Sequence, residues 1–377
     1  MYSKRKIKLD FILILIIVLL AAISLISIKS AEKVLGSRPN KYLIKQAIWY
    51  LIGFIGMILI SLKKKETILK SVKYLYIIGN IILVLLLIFG TPVNNAKCWF
   101  DIPFLGTFQP SEFMKIILIL TLSGIIDDFR NKYPTPTVKE EFLFLIKVGI
   151  IVGIPSILTF LQPDTGVVLI YCLITFVMLF ISGIRYRWFG LVLLIVALIV
   201  GTVLLVYFTS QDLFIKLFGT SFFLRVDRLL DWSKGSGYQL ENGMAAIGSA
   251  GITGFGINKT PIYFPEANTD FIFAVYASNF GFIGSIILLT LLAALDLRLI
   301  RLALRSENNI NKYIISGCVA MLIYQQMQNI GMTFGIFPIT GITLPFVSYG
   351  GSSLISYLLM IGIVLSISNE EKRNYLN

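Results

Sequence analysis

Apolar runs of roughly 17 to 25 residues, separated by short polar stretches, recur along the whole chain, and each is long enough to cross about 30 Å of hydrocarbon as a helix. They lie near Phe11 to Ile28, Ile44 to Leu62, Tyr74 to Gly90, Ser111 to Ile126, Phe142 to Leu161, Gly166 to Ile181, Trp188 to Phe208, Phe271 to Leu295, Tyr313 to Met332 and Ser348 to Ile367. The pattern predicts an all-α polytopic membrane protein with about ten transmembrane helices. A barrel would show short alternating segments instead. A stretch of about 209–270 separates the seventh and eighth runs, and it is too long for a simple connection. No Pro- or Ser-rich linker divides the chain, so residues 1–377 read as one membrane domain.

Composition agrees, with 56% hydrophobic residues and a mean hydropathy of +0.84. Basic residues set the orientation. Lys4 to Lys8, Lys63 to Lys73, Arg130 to Lys139, Arg185 and Arg187, Arg298 to Lys312, and Lys372 with Arg373 all fall on one side, which predicts a cell-membrane protein with both termini cytoplasmic. Lys29, Lys33, Arg38, Lys41 and Lys45, near the first outer loop, run against this bias. The net charge of +13 is accounted for by topology and by attraction to anionic membrane lipids, about 1 kcal/mol per basic residue near the surface. Nucleic acid is not an expected partner.

The first run has the basic start of a signal peptide, but its core is too long and it lacks a small-residue cleavage site, so it reads as a span. Cys98, Cys172 and Cys318 share no metal-ligand spacing, and no structural disulfide is expected. The chain contains no histidine, which excludes His-based triads, HExxH zinc sites and histidine proton relays. It has no GxxxxGK[ST] phosphate loop. Gly251, Gly254 and Gly256 are expected to supply loop flexibility.

The loops on the outer side collect polar segments. Asn94 to Lys115 contains Gln109, Pro110, Ser111 and Glu112, a helix start with acid where the dipole favours it. Lys115, one turn further in, is either an i,i+3 partner of Glu112 or a cation for an anion from another segment. Gln162 to Gly166 makes a tight turn, for which structure outweighs function. Within the 209–270 stretch, Phe214, Leu217, Phe218, Phe223, Leu224 and Trp232, interleaved with Lys216, Arg225 and Arg228, suggest amphipathic helices lying in the interface. Pro265 to Ala274 carries Glu266 and Asp270, and Asp270 either caps the eighth helix or does chemistry. Gly331 to Ser353, with Thr340, Ser348, Tyr349, Ser352 and Ser353, must line a cavity or lie buried in protein, because irregular backbone is not tolerated in lipid.

In chain order, NNAKCWFDIP with GTFQPSEFMK, QPDTG, GYQLENGMAAIGSAGITGFGI, PEANTDFIFA with GFIG, and GMTFGIFPITGITLPFVSYGGSS resemble the SEDS family of RodA, FtsW and SpoVE. The resemblance covers essentially the whole chain, and the WFDIP and QPSEFMKI wording is most similar to RodA, the elongation member. It implies a ten-span peptidoglycan glycosyltransferase that polymerises lipid II at the outer membrane face beside a class B penicillin-binding protein. The family's essential acid matches Asp270, its motif lysine Lys115, its basic residue Lys97 and its tryptophan Trp99. The chain departs from the family where Asn268 replaces a common His, where Ser278 and Asn279 replace paired acids, and where Lys97 and Cys98 replace an Arg-rich pair.

Joining lipid-linked sugars requires removal of a hydroxyl proton while a diphosphate departs. Asp270 is the expected general base, and Lys115 would orient it or neutralise the diphosphate. Lys97, Trp99, Glu112, Arg228, Glu266 and Ser348 are the expected substrate-binding residues, with Lys97 and Arg228 reaching phosphate. One positioned carboxylate and several cations suffice for this step in principle, and the sequence points to no definite cofactor. A divalent cation on the diphosphate is compatible with this chemistry, although the sequence shows no dedicated metal cage. A lipid II flippase and a non-catalytic scaffold that activates a penicillin-binding protein are the alternatives, as are the division and sporulation roles within the family.

Overall fold

The computed structural model describes residues 10–36, 41–93, 96–102, 106–220, 222–223, 226–227 and 237–374. Its helices in chain order are α1 (Phe11–Val34), α2 (Tyr42–Ser61), α3 (Lys65–Phe89), α4 (Pro110–Lys132), α5 (Val138–Leu161), α6 (Thr165–Ile181), α7 (Tyr186–Thr209), α8 (Gln211–Phe218), α9 (Tyr238–Gly248), α10 (Ile272–Arg305), α11 (Asn309–Thr333) and α12 (Gly351–Asn374). Each expected span coincides with one of them. Helices α1, α2, α3, α5, α7, α10 and α12 are long and apolar enough to cross a membrane, and α6 is apolar but shorter. α4 and α11 bury several polar side chains, which lowers their hydropathy. The protein is an all-α multi-pass membrane protein.

Helix starts fall where the sequence supplies caps. Asp10 accepts from the Leu13 N–H at 3.2 Å, Thr137 and Glu140 form a capping box at α5, and Asp164 accepts from the Val167 N–H at 3.1 Å. Each satisfies a first-turn donor that has no partner within its helix. α12 sits deepest and packs along α2, where Gly53 meets Leu358 and Gly362 meets the Met57 backbone. Small residues let helices approach where lipid provides no hydrophobic drive to associate. α7 stands at the periphery with most of its surface exposed. At its end, α8 buries Phe214 against Tyr207 and exposes Leu217 and Phe218, so it is amphipathic as expected.

One end of the bundle carries short turns and charged ties, with Arg298 Nη2 2.6 Å from Asp10 Oδ2 and Lys65 Nζ 2.9 Å from Asn311 Oδ1. The longer polar segments occupy the other end. There the stretch before α4, expected as a loop, forms an antiparallel meander of β1 (Thr91–Val93), β2 (Ala96–Ile102) and β3 (Gly106–Phe108). Thr91 faces Trp99, and Phe100 faces Phe108. β1 and β3 have three residues each and the pairing of β2 with β1 carries an extra residue, so regular alternation is too brief to stand out beside spans of twenty residues.

The glycine-rich stretch does not act as a flexible loop. Gly254 and Gly281 have φ of +76° and +61°, a region open to glycine. A Cβ on Gly254 would lie 2.3 Å from the Asn279 carbonyl oxygen, and one on Gly281 would lie 2.4 Å from the Gly254 nitrogen. α10 breaks at Gly281. The loop takes up the backbone groups this frees: Phe255 and Gly256 donate to the Ser278 and Asn279 carbonyls at 3.0 and 2.9 Å, and Phe282 and Ile283 donate to Gly251 and Ile252 at 3.0 and 3.1 Å.

The segment between α11 and α12 is irregular, and much of it is buried. Its carbonyls are met by side chains from the spans: Ser24 donates to Val347 at 2.7 Å, Gln46 to Ser348 at 3.2 Å, Tyr50 to Phe346, and Gln328 to Pro338 at 2.8 Å. Non-helical backbone at membrane depth needs such partners.

Candidate functional site

A cavity of about 470 Å³ opens at the elaborate end of the bundle. Its wall is drawn from α2, β2, the β3–α4 junction, the α5–α6 turn, the loop before α10, α11 and the 340–353 segment. Glu112, Asp164, Glu266 and Asp270 line it together with Trp49, Trp99, Gln109, Gln325 and Tyr349.

Asp270 precedes α10. That helix is capped at Phe271 without a side-chain bond, so Asp270 does not serve as its cap. No described residue donates a hydrogen bond to its carboxylate. The backbone around it is held from several sides. Asn329 Nδ2 donates to the Asp270 carbonyl at 2.9 Å and to the Ile342 carbonyl at 2.8 Å. Ser348 Oγ donates to the Thr269 carbonyl at 2.6 Å and accepts from the Leu344 N–H at 2.8 Å, and the Tyr349 N–H reaches Asn268 at 2.8 Å. The buried Phe271 ring lies against Gly243 of α9, where a Cβ would come within 2.7 Å of it. The result is a free carboxylate on a fixed backbone. Burial, and then the Glu266 charge, push its pKa up to about 7, which suits a base working near neutral pH.

The other carboxylates have partners. Glu266, exposed and with a φ of 53°, accepts from Thr269 Oγ1 at 2.8 Å. Lys115 is fully buried, with Nζ 2.7 Å from Glu112 Oε2 and 5.2 Å from the centre of the Tyr357 ring. The i,i+3 pair therefore forms, and Glu112, not Lys115, reaches the cavity wall. Asp164 receives Gln109 Nε2 at 2.8 Å, and burial raises its pKa to about 6.

The cavity thus brings together Trp99, Glu112, Glu266 and Asp270. Lys97 is exposed on β2 outside the wall, Ser348 lies behind it as a backbone tie, and Arg228 falls outside the described residues. Among the described residues, no group of three or more acids and cysteines is placed to hold a metal ion. Trp49, Gln325, Asn329 and Asp164 were not singled out by sequence reasoning as site residues. For the two amides the available signal was a polar residue inside an apolar run. Asp164 was masked by the ordinary appearance of its turn.

The model of the FtsW, RodA and SpoVE family, described as a cell cycle protein, matches residues 7–373. The chain belongs to this family. It is 33% identical over 377 residues to the probable peptidoglycan glycosyltransferase FtsW of Thiomicrospira cyclica, covering 97% of this chain and 92% of that one. It is 32% identical to stage V sporulation protein E of Bacillus subtilis, covering 97% and 98%, and 35% identical over 306 residues to the peptidoglycan glycosyltransferase MrdB of Escherichia coli, covering 79% and 78%. Identities this close do not single out one member of the FtsW, RodA and SpoVE family. Among solved structures, the chain matches one from work on the coordination of polymerization and crosslinking by a peptidoglycan synthase complex, with a TM-score of 0.77, 29% identity and coverage of 96% and 98%. It also matches the rod-shape-determining protein RodA of Thermus thermophilus, with a TM-score of 0.70, 26% identity and coverage of 96% and 97%.

Proposed function

We propose that the chain is a peptidoglycan glycosyltransferase that polymerises lipid II at the outer face of the cytoplasmic membrane, with both termini cytoplasmic. The observation that carries this reading is Asp270, an unbonded carboxylate with a pKa near 7 on a pinned loop in the cavity wall. Asp270 takes the proton from the acceptor sugar hydroxyl as that oxygen attacks the donor anomeric carbon, and the lipid diphosphate leaves from the opposite side. The α linkage of the donor becomes β in one inverting displacement, so a second, nucleophilic carboxylate is not needed. Lys115 acts through Glu112, holding that carboxylate in the wall. A divalent cation would enter with the diphosphate, and no residue set is assigned to it. Lys97 and Arg228 are the proposed phosphate contacts.

The WFDIP and QPSEFMKI wording supports the elongation role over division or sporulation. A class B penicillin-binding protein is the proposed partner, in keeping with the synthase complex among the structural relatives. The test is polymerisation of purified lipid II by the purified protein, alone and with that partner, comparing wild type with Asp270→Asn. Glycan chains from wild type alone are expected. Chains from Asp270→Asn would remove Asp270 from the mechanism, and none from wild type with the partner bound would remove the reading itself.

A further inference from the structure

The charges around the cavity are segregated. Its wall holds four carboxylates and, among the described residues, no Lys or Arg. Lys115 compensates Glu112 from behind, which leaves Asp164, Glu266 and Asp270 facing the space. The residue before Trp99 is Cys98, whose thiol donates to the Gln162 carbonyl at 2.9 Å, so that wall position carries no cation either. An ionised carboxylate only accepts hydrogen bonds, and a diphosphate has the same limitation. The two repel, most strongly in a cleft with low-dielectric walls.

What the wall asks for is donors and flat apolar surface. Gln325 is 1% exposed, donates through Nε2 to the Tyr357 hydroxyl at 2.7 Å, and leaves Oε1 without a partner. The ring of Trp49 sits against Gly351, where a Cβ would lie 2.8 Å from it, and Trp99 lines the cavity from β2. Indole faces suit the C–H face of a pyranose, and sugar hydroxyls donate to carboxylates and to an orphan amide oxygen.

Each wall tryptophan has a lysine close to it on its own element, outside the wall itself. Lys45 precedes Trp49 by one turn on α2, on the cavity-end side, at the i,i+4 spacing that shares a helix face. Lys97 precedes Trp99 by two residues on β2, where the pairing with β1 carries an extra residue between Ala96 and Trp99, and it is exposed beside the wall. Resting on the reading of the chain as a lipid II polymerase, we propose that the cavity receives the uncharged sugars of the acceptor, and that its diphosphate stays outside on a basic rim carrying Lys45 and Lys97.

The test uses the full chain with its partner in nanodiscs of neutral phosphatidylcholine, comparing wild type with Lys45→Gln and Lys97→Gln. Each substitution should raise KM for lipid II roughly fivefold, with kcat within about twofold, and should flatten the dependence of KM on salt. An uncharged N-acetylglucosamine disaccharide should quench wild-type tryptophan emission and inhibit all three proteins equally, whereas inorganic diphosphate should inhibit wild type more than either variant. Unchanged KM in both variants, or diphosphate displacing the disaccharide from the tryptophans, would overturn the assignment while leaving the polymerase reading intact. KM effects seen only in nanodiscs of anionic phosphatidylglycerol would give the lysines to the lipid surface and also overturn it. Absence of polymer from wild type would remove the polymerase reading and this inference with it.

Discussion

Exchanging Asn329 for Asp keeps the side-chain volume and removes a single NH₂ group. That group joins the Asp270 carbonyl, at 2.9 Å, to the Ile342 carbonyl, at 2.8 Å, from a fully buried position on α11. Leaving one buried carbonyl without its donor costs roughly 1 to 3 kcal/mol, so losing both in Asn329→Ala costs on the order of 2 to 6 kcal/mol. A neutral aspartic acid can restore one donor, and Asn329→Asp should fall in the lower half of that range. The consequence for rate follows from geometry: a displacement of the reacting base by about 1 Å costs about 100-fold. We expect kcat for glycan synthesis to fall by about that factor in both variants, with KM changed by less than about threefold, because the cavity wall that binds substrate is otherwise intact. Ser348→Ala, which removes the neighbouring tie to Thr269 at 2.6 Å, should give a smaller loss of the same kind. The assay is initial-rate polymerisation of lipid II alongside thermal unfolding in the same detergent. Full kcat from Asn329→Ala at a temperature where it stays folded would show that the amide holds the loop without positioning the base.

Because burial and Glu266 raise the Asp270 pKa to about 7, its base form is lost as pH falls, so kcat/KM should decline below about pH 7 and level off above it. Glu266→Gln should move this limb to lower pH by less than about one pH unit, most clearly at low salt; an unmoved limb would separate the two carboxylates. Gly254→Ala drives a Cβ to 2.3 Å from the Asn279 carbonyl oxygen and should abolish monodisperse protein on size exclusion, whereas normal behaviour would contradict the interlock with α10. Lys115→Met strands Glu112 in the interior and should cost about 3 to 5 kcal/mol. Adding Glu112→Gln should restore thermal stability but not polymerisation, and recovery of both would make the pair purely structural.

The spans were legible because a helix in lipid must be long, apolar and self-bonded, and the chain meets all three demands visibly. Asp270 was legible through its motif, and its freedom from capping duty was not: Phe271 occupies the cap position, and nothing in TDFIF distinguishes the two arrangements. Lys115 admits two readings in the sequence because i,i+3 spacing allows the Glu112 pair without requiring it. The hairpin before α4 and the glycine interlock were illegible for a related reason. Both depend on backbone meeting backbone across distance, as Phe255 does with Ser278 and Thr91 with Trp99, and such contacts leave only glycines and short alternations as a trace.

The amides and hydroxyls inside the spans carried more information than their average hydropathy suggests. Ser24, Gln46, Tyr50, Gln328 and Asn329 sit on α1, α2 and α11, and each donates to a carbonyl in the irregular segment between α11 and α12. A helix satisfies its own backbone, so it has no use for a buried side-chain donor aimed at a neighbour's carbonyl. Irregular backbone at the same depth does. Polar residues inside apolar runs therefore mark where non-helical chain must enter the membrane protein. Here they converge on the segment that faces Asp270, and the same donors that stabilise the fold decide how rigidly the candidate base is held.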